Sequence, residues 1–431
     1  MNNKFYSFIK MNSQNFYHQR VLKILTLIFF ASLLSAFNLS TEQGKRMPDT
    51  YLKEGIWRGI LKPQGIEVPF LFNVEKHGCN YSFILMNGEE RISLDDIVIN
   101  DDSLHAQLFV FDATIHAKIE DNKLHGIWVK NDEENFMIPF SAAFGNEQRF
   151  KVESKKPDTS FDGKWEVDFI KENNSIEKAI GLFSQNGQKL AGTFLTPTGD
   201  YRFLEGVVEG NTMKLSSFDG VNALLFEAEM LENGELSGEL WNLLHRHEKW
   251  TAKRNDNFEL ADTYAVTFMK EKYESFNVKF PNTSGDFISL TDLLYKDKIV
   301  VVQILGTWCP NCIDETRFLV DWYKDNKERG VEILGLAFEK NTDVGYAASR
   351  VTKWKRKLGI EYEVLMAGIP GSRSEALPML NEVVTFPTTV ILDKQHKVQQ
   401  IKSGFFGPGS GVYYEKFVED FNFLIDKLVE E

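Results

Sequence analysis

The chain has 431 residues, room for two or three domains, and its 43% hydrophobic and 13% aromatic content (35 Phe) excludes a disordered polymer. A net charge of −13, from 62 acidic against 49 basic residues, opposes a phosphate-tracking surface, so no nucleic-acid partner is expected. Three cysteines are too few for a disulfide scaffold, which leaves a pair and an odd one to be explained separately.

At the N-terminus, Lys4, Lys10, Arg20 and Lys23 precede the mostly apolar Ile24–Ala36, which ends in the small residues Ser35 and Ala36. A positive region before a short apolar one fits a secretory signal, and about thirteen apolar residues are short for a membrane span. Residues 1–38 are therefore read as a signal peptide or an uncleaved N-terminal anchor, with Met11 as an alternative start. Either form implies export, most simply to a periplasm. No cysteine follows that would serve as a lipoprotein anchor.

After a polar stretch the pattern becomes short and alternating, as in Val68–Val74, Tyr81–Met86, Ile92–Ile99, Ala106–Phe111 and Thr114–Ile119. Asn87-Gly88 and Asp121-Asn122 mark turns between such segments. No helical period is sustained before about Arg254, so the region reads as all-β, a sandwich or barrel-like arrangement. A weak repeat divides it at an offset of about 110 residues. Gly55-Ile56-Trp57 answers Gly163-Lys164-Trp165, Leu124–Trp128 answers Leu236–Trp241, and Pro139–Ala142 answers Lys249–Ala252. Two β units follow, 45–150 and 160–254, joined through Val152–Thr159. Gly199–Gly206 and Ser216–Gly220 read as tight turns, with ligand binding as the alternative. His245, His247 and Glu248 resemble a metal cluster but fit an exposed strand end equally well. Cys79, beside Gly78, reads as a lone small core residue.

From about Ala261 the register changes to strand and helix in alternation. After the lead-in Phe276–Leu294, Ile299–Leu305 is apolar and β-branched enough for a strand buried on both faces. Gly306 and Thr307 break it, and Trp308-Cys309-Pro310-Asn311-Cys312 opens a helix running to about Lys327. There, unpaired amides and the helix dipole favour the Cys309 thiolate, Pro310 costs no hydrogen bond, and Cys312 is close enough to resolve a mixed disulfide. The alternative, half of a zinc site, lacks further ligands nearby: Cys79 is far upstream and His396 stands alone. No metal or separate cofactor is expected, only a redox-active Cys309–Cys312 disulfide. Val331–Phe338 reads as a strand, and Asp343–Leu358 as a helix with Ala347, Val351 and Trp354 inward. Tyr362–Met366, Thr388–Leu392 and Val398–Lys402 are strands. Val412–Val429 is a helix with Tyr413, Phe417, Phe421, Leu424 and Leu428 at helical spacing.

The order strand, W-C-x-x-C, helix, strand, x-Pro-Thr, strand pair, helix resembles the thioredoxin fold. With Phe280-Pro281, Ser289-Leu290 and Gly-Thr-Trp-Cys-Pro-Asn-Cys it is similar to the TlpA/ResA branch, over about Phe276–Lys427. The β region is similar to what precedes this module in some Bacteroidetes-type exported proteins. The expected fold is α+β multidomain: two all-β repeat units and then an α/β thioredoxin-fold domain, 262–431. The resemblance implies that Cys309 is the nucleophile, Cys312 the resolving thiol, and Thr385-Phe386-Pro387-Thr388 the cis-proline segment, where Phe386's backbone would meet a substrate chain. Glu315, three residues beyond Cys312, matches C-x-x-C-x-x-E and is placed to take that thiol's proton. Gln303 stands where cytosolic thioredoxins carry a buried acid, which leaves the proton to Glu315 or water. Trp308 would shield the disulfide or contact partners. The implied activity is reduction of disulfides in exported partner proteins, with electrons from a membrane or periplasmic donor. Two rival readings are a binding protein carrying an accessory redox module, and a thiol peroxidase oxidised at Cys309.

Overall fold

The structure is a computed structural model that describes residues 52–431 apart from 109–111, 153–154 and 244–245. The leader, the end of the expected Ala106–Phe111 strand and His245 lie outside the described residues.

The first β unit comprises β1 (Gly55–Leu61), β2 (Val68–His77), β3 (Asn80–Asn87), β4 (Glu90–Leu94), β5 (Ile97–Asn100), β6 (Ser103–Leu108), β7 (Ala113–Glu120), β8 (Lys123–Lys130) and β9 (Met137–Phe144). They form an antiparallel sheet in the order β4-β3-β2-β1-β9-β8-β7-β6-β5. The chain is an up-and-down meander whose first and last strands pair, leaving one gap between β4 and β5. That gap divides the segment expected as Ile92–Ile99: Asp95-Asp96 at its middle leaves the sheet, because neither carboxylate can enter the apolar interior.

The second unit repeats the plan with β10 (Gly163–Ile170), β11 (Ile176–Asn186), β12 (Lys189–Thr196), β13 (Gly199–Asp200), β14 (Leu204–Glu209), β15 (Thr212–Phe218), β16 (Ala223–Met230), β17 (Leu236–Asn242) and β18 (Arg246–Arg254). Here β11 pairs with β12 as well as β10, and β10 with β18, so the barrel closes. The repeat is one of register. Gly59 opposes Ala142 as Val167 opposes Ala252, and Gly126 opposes Phe140 as Gly238 opposes Trp250. Trp57 and Trp165 are fully buried, and each indole N–H donates to the carbonyl four residues back, Lys53 at 2.9 Å and Phe161 at 2.8 Å. The repeated glycines also have a reason. A Cβ at Gly126 would stand 1.9 Å from His116 O, and one at Gly238 would stand 2.5 Å from Glu227 O.

The barrels share an apolar seam. Phe218 packs against Phe70 with ring centroids 4.6 Å apart and the rings tilted by 47°, and the Asn87 side chain exchanges hydrogen bonds with the Phe218 backbone, 3.0 and 3.1 Å. Trp128 donates to Gly220 O at 3.0 Å. Ser216–Gly220 is therefore part of the joint between the units. Cys79 differs from its sequence reading and is exposed. His77 pairs with Asn80, so Gly78 and Cys79 form a two-residue turn that projects the thiol out of the barrel.

After a small hairpin of β19 (Lys279–Pro281) and β20 (Phe287–Ser289) come β21 (Ile299–Leu305), α1 (Pro310–Asn326), β22 (Val331–Phe338), α2 (Val344–Leu358), β23 (Glu363–Gly368), the short α3 (Arg373–Ala376), β24 (Thr388–Leu392), β25 (Val398–Ser403) and α4 (Val412–Glu430). The sheet order is β23-β22-β21-β24-β25, parallel across β21–β23 and antiparallel at β24 and β25. This is the thioredoxin arrangement. Strand alternation gives the sheet two faces. Ile299, Val301, Ile333, Ala337 and Ile391 pack under α1, α2 and α4, while Val300, Val302, Leu334, Leu336 and Val390 pack against 276–295 and 377–383. The buried stripe of α4 is Phe417, Phe421, Ile425 and Leu428. Tyr413 leaves that stripe because its hydroxyl donates to Glu259 and its ring lies under Lys164. No helix among the described residues is long and apolar enough to cross a membrane.

Because the glycine contacts are with backbone that cannot yield, Gly126→Ala and Gly238→Ala should each lower stability by about 1–3 kcal/mol. Thermal unfolding of the two variants checks this, with Gly371→Ala, at an exposed position with no neighbouring atom in the way, as the comparison.

Candidate active site

The site is built where β21 ends and α1 begins. Cys309 is the N-cap of α1 and Pro310 its first residue; Cys309 Sγ accepts the Cys312 N–H at 3.3 Å. Both thiols are free, with Cys309 6% exposed and Cys312 fully buried. Burial, then the neighbouring Cys309, pushes the Cys312 thiol well above its ordinary range, and the charge of Glu315 adds to the effect. The Phe386–Pro387 bond is cis, and Phe386 O accepts from Cys309 Sγ at 3.3 Å. Thus the structure brings Trp308, Cys309, Cys312, Phe386 and Pro387 together. Thr385 stands beside them, its hydroxyl donating to Thr198 O of the second barrel at 3.3 Å.

Trp308 is fixed from three sides. Its indole N–H donates to Phe338 O at 2.9 Å, its ring meets Phe386 edge-on at 5.4 Å, and Lys340 Nζ lies 4.8 Å from its centroid. Glu339, not singled out from the sequence, holds the preceding turn: its carboxylate accepts from Thr307 N at 2.9 Å and Thr307 Oγ1 at 2.7 Å. Among apolar neighbours such a residue is visible only once β22 is aligned beside β21.

Glu315 is 1% exposed, and its two oxygens accept from Gln303 Nε2 at 2.8 Å and Thr389 Oγ1 at 2.6 Å. Burial raises its pKa, opposed by those two hydrogen bonds and by Lys402. Gln303 also reaches Cys312 O at 3.4 Å, so the amide ties the carboxylate to the backbone of Cys312.

The second barrel meets the redox helix through Gly199–Phe203. Arg202 donates to Pro310 O at 3.2 Å, pairs with Asp314 at 3.0 Å, and also pairs with Glu90 from the first barrel. Asp200 accepts from Gly407 N at 2.9 Å. A polar cavity of ≈ 290 Å³ opens beside this junction, lined by Thr198, Asp200, Arg202, Asp219, Pro310 and Asn311 among others. The stretch read from sequence as a tight turn is thus the joint between three parts of the chain. No local pattern reveals such a role. His247, by contrast, stacks on Trp241 at 5.1 Å while Glu248 is turned to the buried face. Among the described residues no group of three His, Cys, Asp or Glu side chains is arranged to hold a metal.

Fold and paired thiols define a thioredoxin-fold protein with a dithiol at its helix N-terminus. Residues 269–401 match the AhpC/TSA family. The chain is 30% identical over 150 residues to the thiol-disulfide oxidoreductase ResA of Geobacillus kaustophilus, covering 33% of this chain and 78% of that protein. It is 26% identical over 136 residues to ResA of Bacillus subtilis, covering 32% and 69%. A solved thiol-disulfide oxidoreductase from Bacteroides fragilis aligns with 34% of this chain and 99% of its own, at 13% identity and a TM-score of 0.26. The chain belongs to the ResA-type thiol-disulfide oxidoreductases, and it is an enzyme of that class. Both barrels precede the matched residues 269–401.

Burial, then the charge of Asp314, raises Asp200 to about 7, and burial raises Asp314 to about 6, against 3.8 ordinarily. The folded chain therefore binds more protons than the unfolded one between about pH 4 and 7. The stability due to these carboxyls is full at low pH and is lost as pH rises through their folded values. Asp200→Asn, neutral throughout, should gain in thermal midpoint relative to the unmodified protein on going from pH 5 to pH 8; calorimetry at the two pH values reads this difference. Arg202→Ala leaves the buried Glu90 without its paired cation and Asp314 with only Arg317, at 3.5 Å, and should cost about 3–5 kcal/mol in denaturant unfolding.

Proposed function

We propose that the protein is an exported enzyme that reduces disulfide bonds of partner proteins through Cys309 and Cys312. The observation that carries this reading is the order of the two sulfurs: Cys309 caps the helix and keeps a small exposed edge, 6%, while Cys312 is fully buried behind it. Only the first can meet a disulfide from outside, and only the second is held back to release it.

The Cys309 thiolate attacks one sulfur of the client disulfide, forming a mixed disulfide and expelling the client's other sulfur as a thiolate. Cys312 gives its proton to Glu315 and attacks Cys309 Sγ, and the second client sulfur leaves. The client gains two electrons and two protons, and the enzyme is left with a Cys309–Cys312 disulfide. A membrane or periplasmic donor restores the dithiol, and no separate cofactor is required. Trp308, Thr385 and the Phe386-Pro387 backbone form the surface beside the sulfur on which an extended client segment would lie. The signal-like leader supports export, and the direction of electron flow follows the relatives' branch.

Cys312→Ala should accumulate mixed disulfides with exported proteins through Cys309, separable on non-reducing gels, and Cys309→Ala should accumulate none. Failure of Cys312→Ala to trap any partner would count against protein clients. Glu315→Gln should slow the release step about a hundredfold. A reduction potential near the about −270 mV of thioredoxin supports the reducing direction, and one near about −120 mV reverses it.

A further inference from the structure

The buried part of the sheet face beneath α1 is apolar except for one row. Gln303 on β21 opposes Thr389 on β24, and Thr389 opposes Lys402 on β25. The three side chains lie side by side on one face, under Glu315. The first two donate to the two oxygens of its carboxylate. The third brings a positive charge into the interior. Lys402 is 7% exposed; its ammonium donates to Gly404 O at 2.8 Å and lies 5.7, 5.5 and 5.1 Å from the ring centroids of Phe405, Phe406 and Phe417. Aromatic faces and one carbonyl compensate only part of the cost of burying an ammonium. The acidic groups that favour the charged form are Glu315 from α1, then Asp200 of the second barrel where it is ionised.

We propose, building on the role given to Glu315 above, that Lys402 is a positioning residue for proton transfer at Cys312: from its place in the Gln303–Thr389–Lys402 row its ammonium helps to keep Glu315 a carboxylate, ready to accept the thiol proton. The proton moves from Cys312 Sγ to Glu315 as Cys312 attacks Cys309 Sγ, and passes on to the departing client thiolate. Lys402 itself exchanges no proton and touches no reacting atom.

The charged and titratable groups around the pair fix the sign. Glu315 faces Cys312 on α1, Lys402 on β25 and Tyr362 ahead of β23. Lys402 faces Glu315 and Asp200, and Asp200 in turn faces Arg202 and Asp314. Burial raises Glu315 and lowers Lys402 to about 8, while each pulls the other back toward its charged form. Without the ammonium, only the hydrogen bonds from Thr389 and Gln303 oppose burial at Glu315, which then holds a proton to higher pH and is a base over a narrower range.

The test uses the full chain carrying Cys79→Ser, so that only the paired thiols react, with the aryl disulfide dithiobis-nitrobenzoate in stopped flow. Attack by Cys309 releases one coloured thiolate, and resolution by Cys312 releases the second. Lys402→Met should move the acid limb of the second phase up by about one pH unit and slow it about tenfold near pH 6, with the first phase unchanged. Lys402→Gln, which keeps a donor for Gly404 O without the charge, should shift the profile equally, and Lys402→Arg should restore the original one. A Lys402→Met or Lys402→Gln profile coincident with the unmodified one overturns the assignment, as does an arginine variant shifted like the neutral ones. Release of a single thiolate by the unmodified paired thiols would instead overturn the dithiol mechanism itself.

Discussion

One guanidinium holds three parts of this chain together. Arg202 leaves the second barrel, meets Glu90 of the first and Asp314 of the redox helix, and donates to Pro310 O inside the C-x-x-C motif. A charge so deeply buried is tolerable only when paired on several sides, and the carboxylates need it as much as it needs them. The contact therefore fixes position more than it adds net stability. The first turn of α1 is held against two β barrels at the point where its N-terminal amides face the reactive sulfur. The barrels' own apolar seam at Phe70 and Phe218 keeps Glu90 and Arg202 in reach of each other.

Within the redox domain the governing constraint is a carboxylate without water. Glu315 sits under α1 with Gln303 and Thr389 donating to its oxygens, and its distance from solvent is what allows its charge to act on Cys312. The exchange of acid for amide at position 303 is then a change of place. The ionisable group has moved from the strand to the helix, and the strand residue has become its hydrogen-bond donor.

Much of this was legible in the sequence because it rests on local pattern. The apolar run Ile299–Leu305 followed by Trp308–Cys312 specifies a buried strand running into a helix, and the structure has β21 and α1 there. The recurring Gly-x-Trp and x-Gly-x pieces marked the two barrels because the same close strand crossing and the same indole hydrogen bond recur in each. What failed were readings in which a neighbour distant in sequence decides. Cys79 looked like a core residue from its type, but a two-residue turn exposes it. Tyr413 matched the helical period, yet Glu259 and Lys164 draw it out of the stripe. The Asp200–Arg202 joint and the Gln303–Thr389–Lys402 row had no signal at all, since each exists only through tertiary register.

The residue between the cysteines that follows Pro310 is also enclosed. Asn311 Nδ2 donates to Phe405 O at 3.3 Å, and a Cβ on Gly199 of the second barrel would lie 2.0 Å from the same nitrogen. The Pro310-Asn311 dipeptide is a half-buried joint with the second barrel, and position 199 has no volume to spare. Grafting a bulkier dipeptide from another oxidoreductase would push the barrel loop off the helix before it altered the sulfurs, so that electrochemical tuning and domain assembly are inherited as one trait.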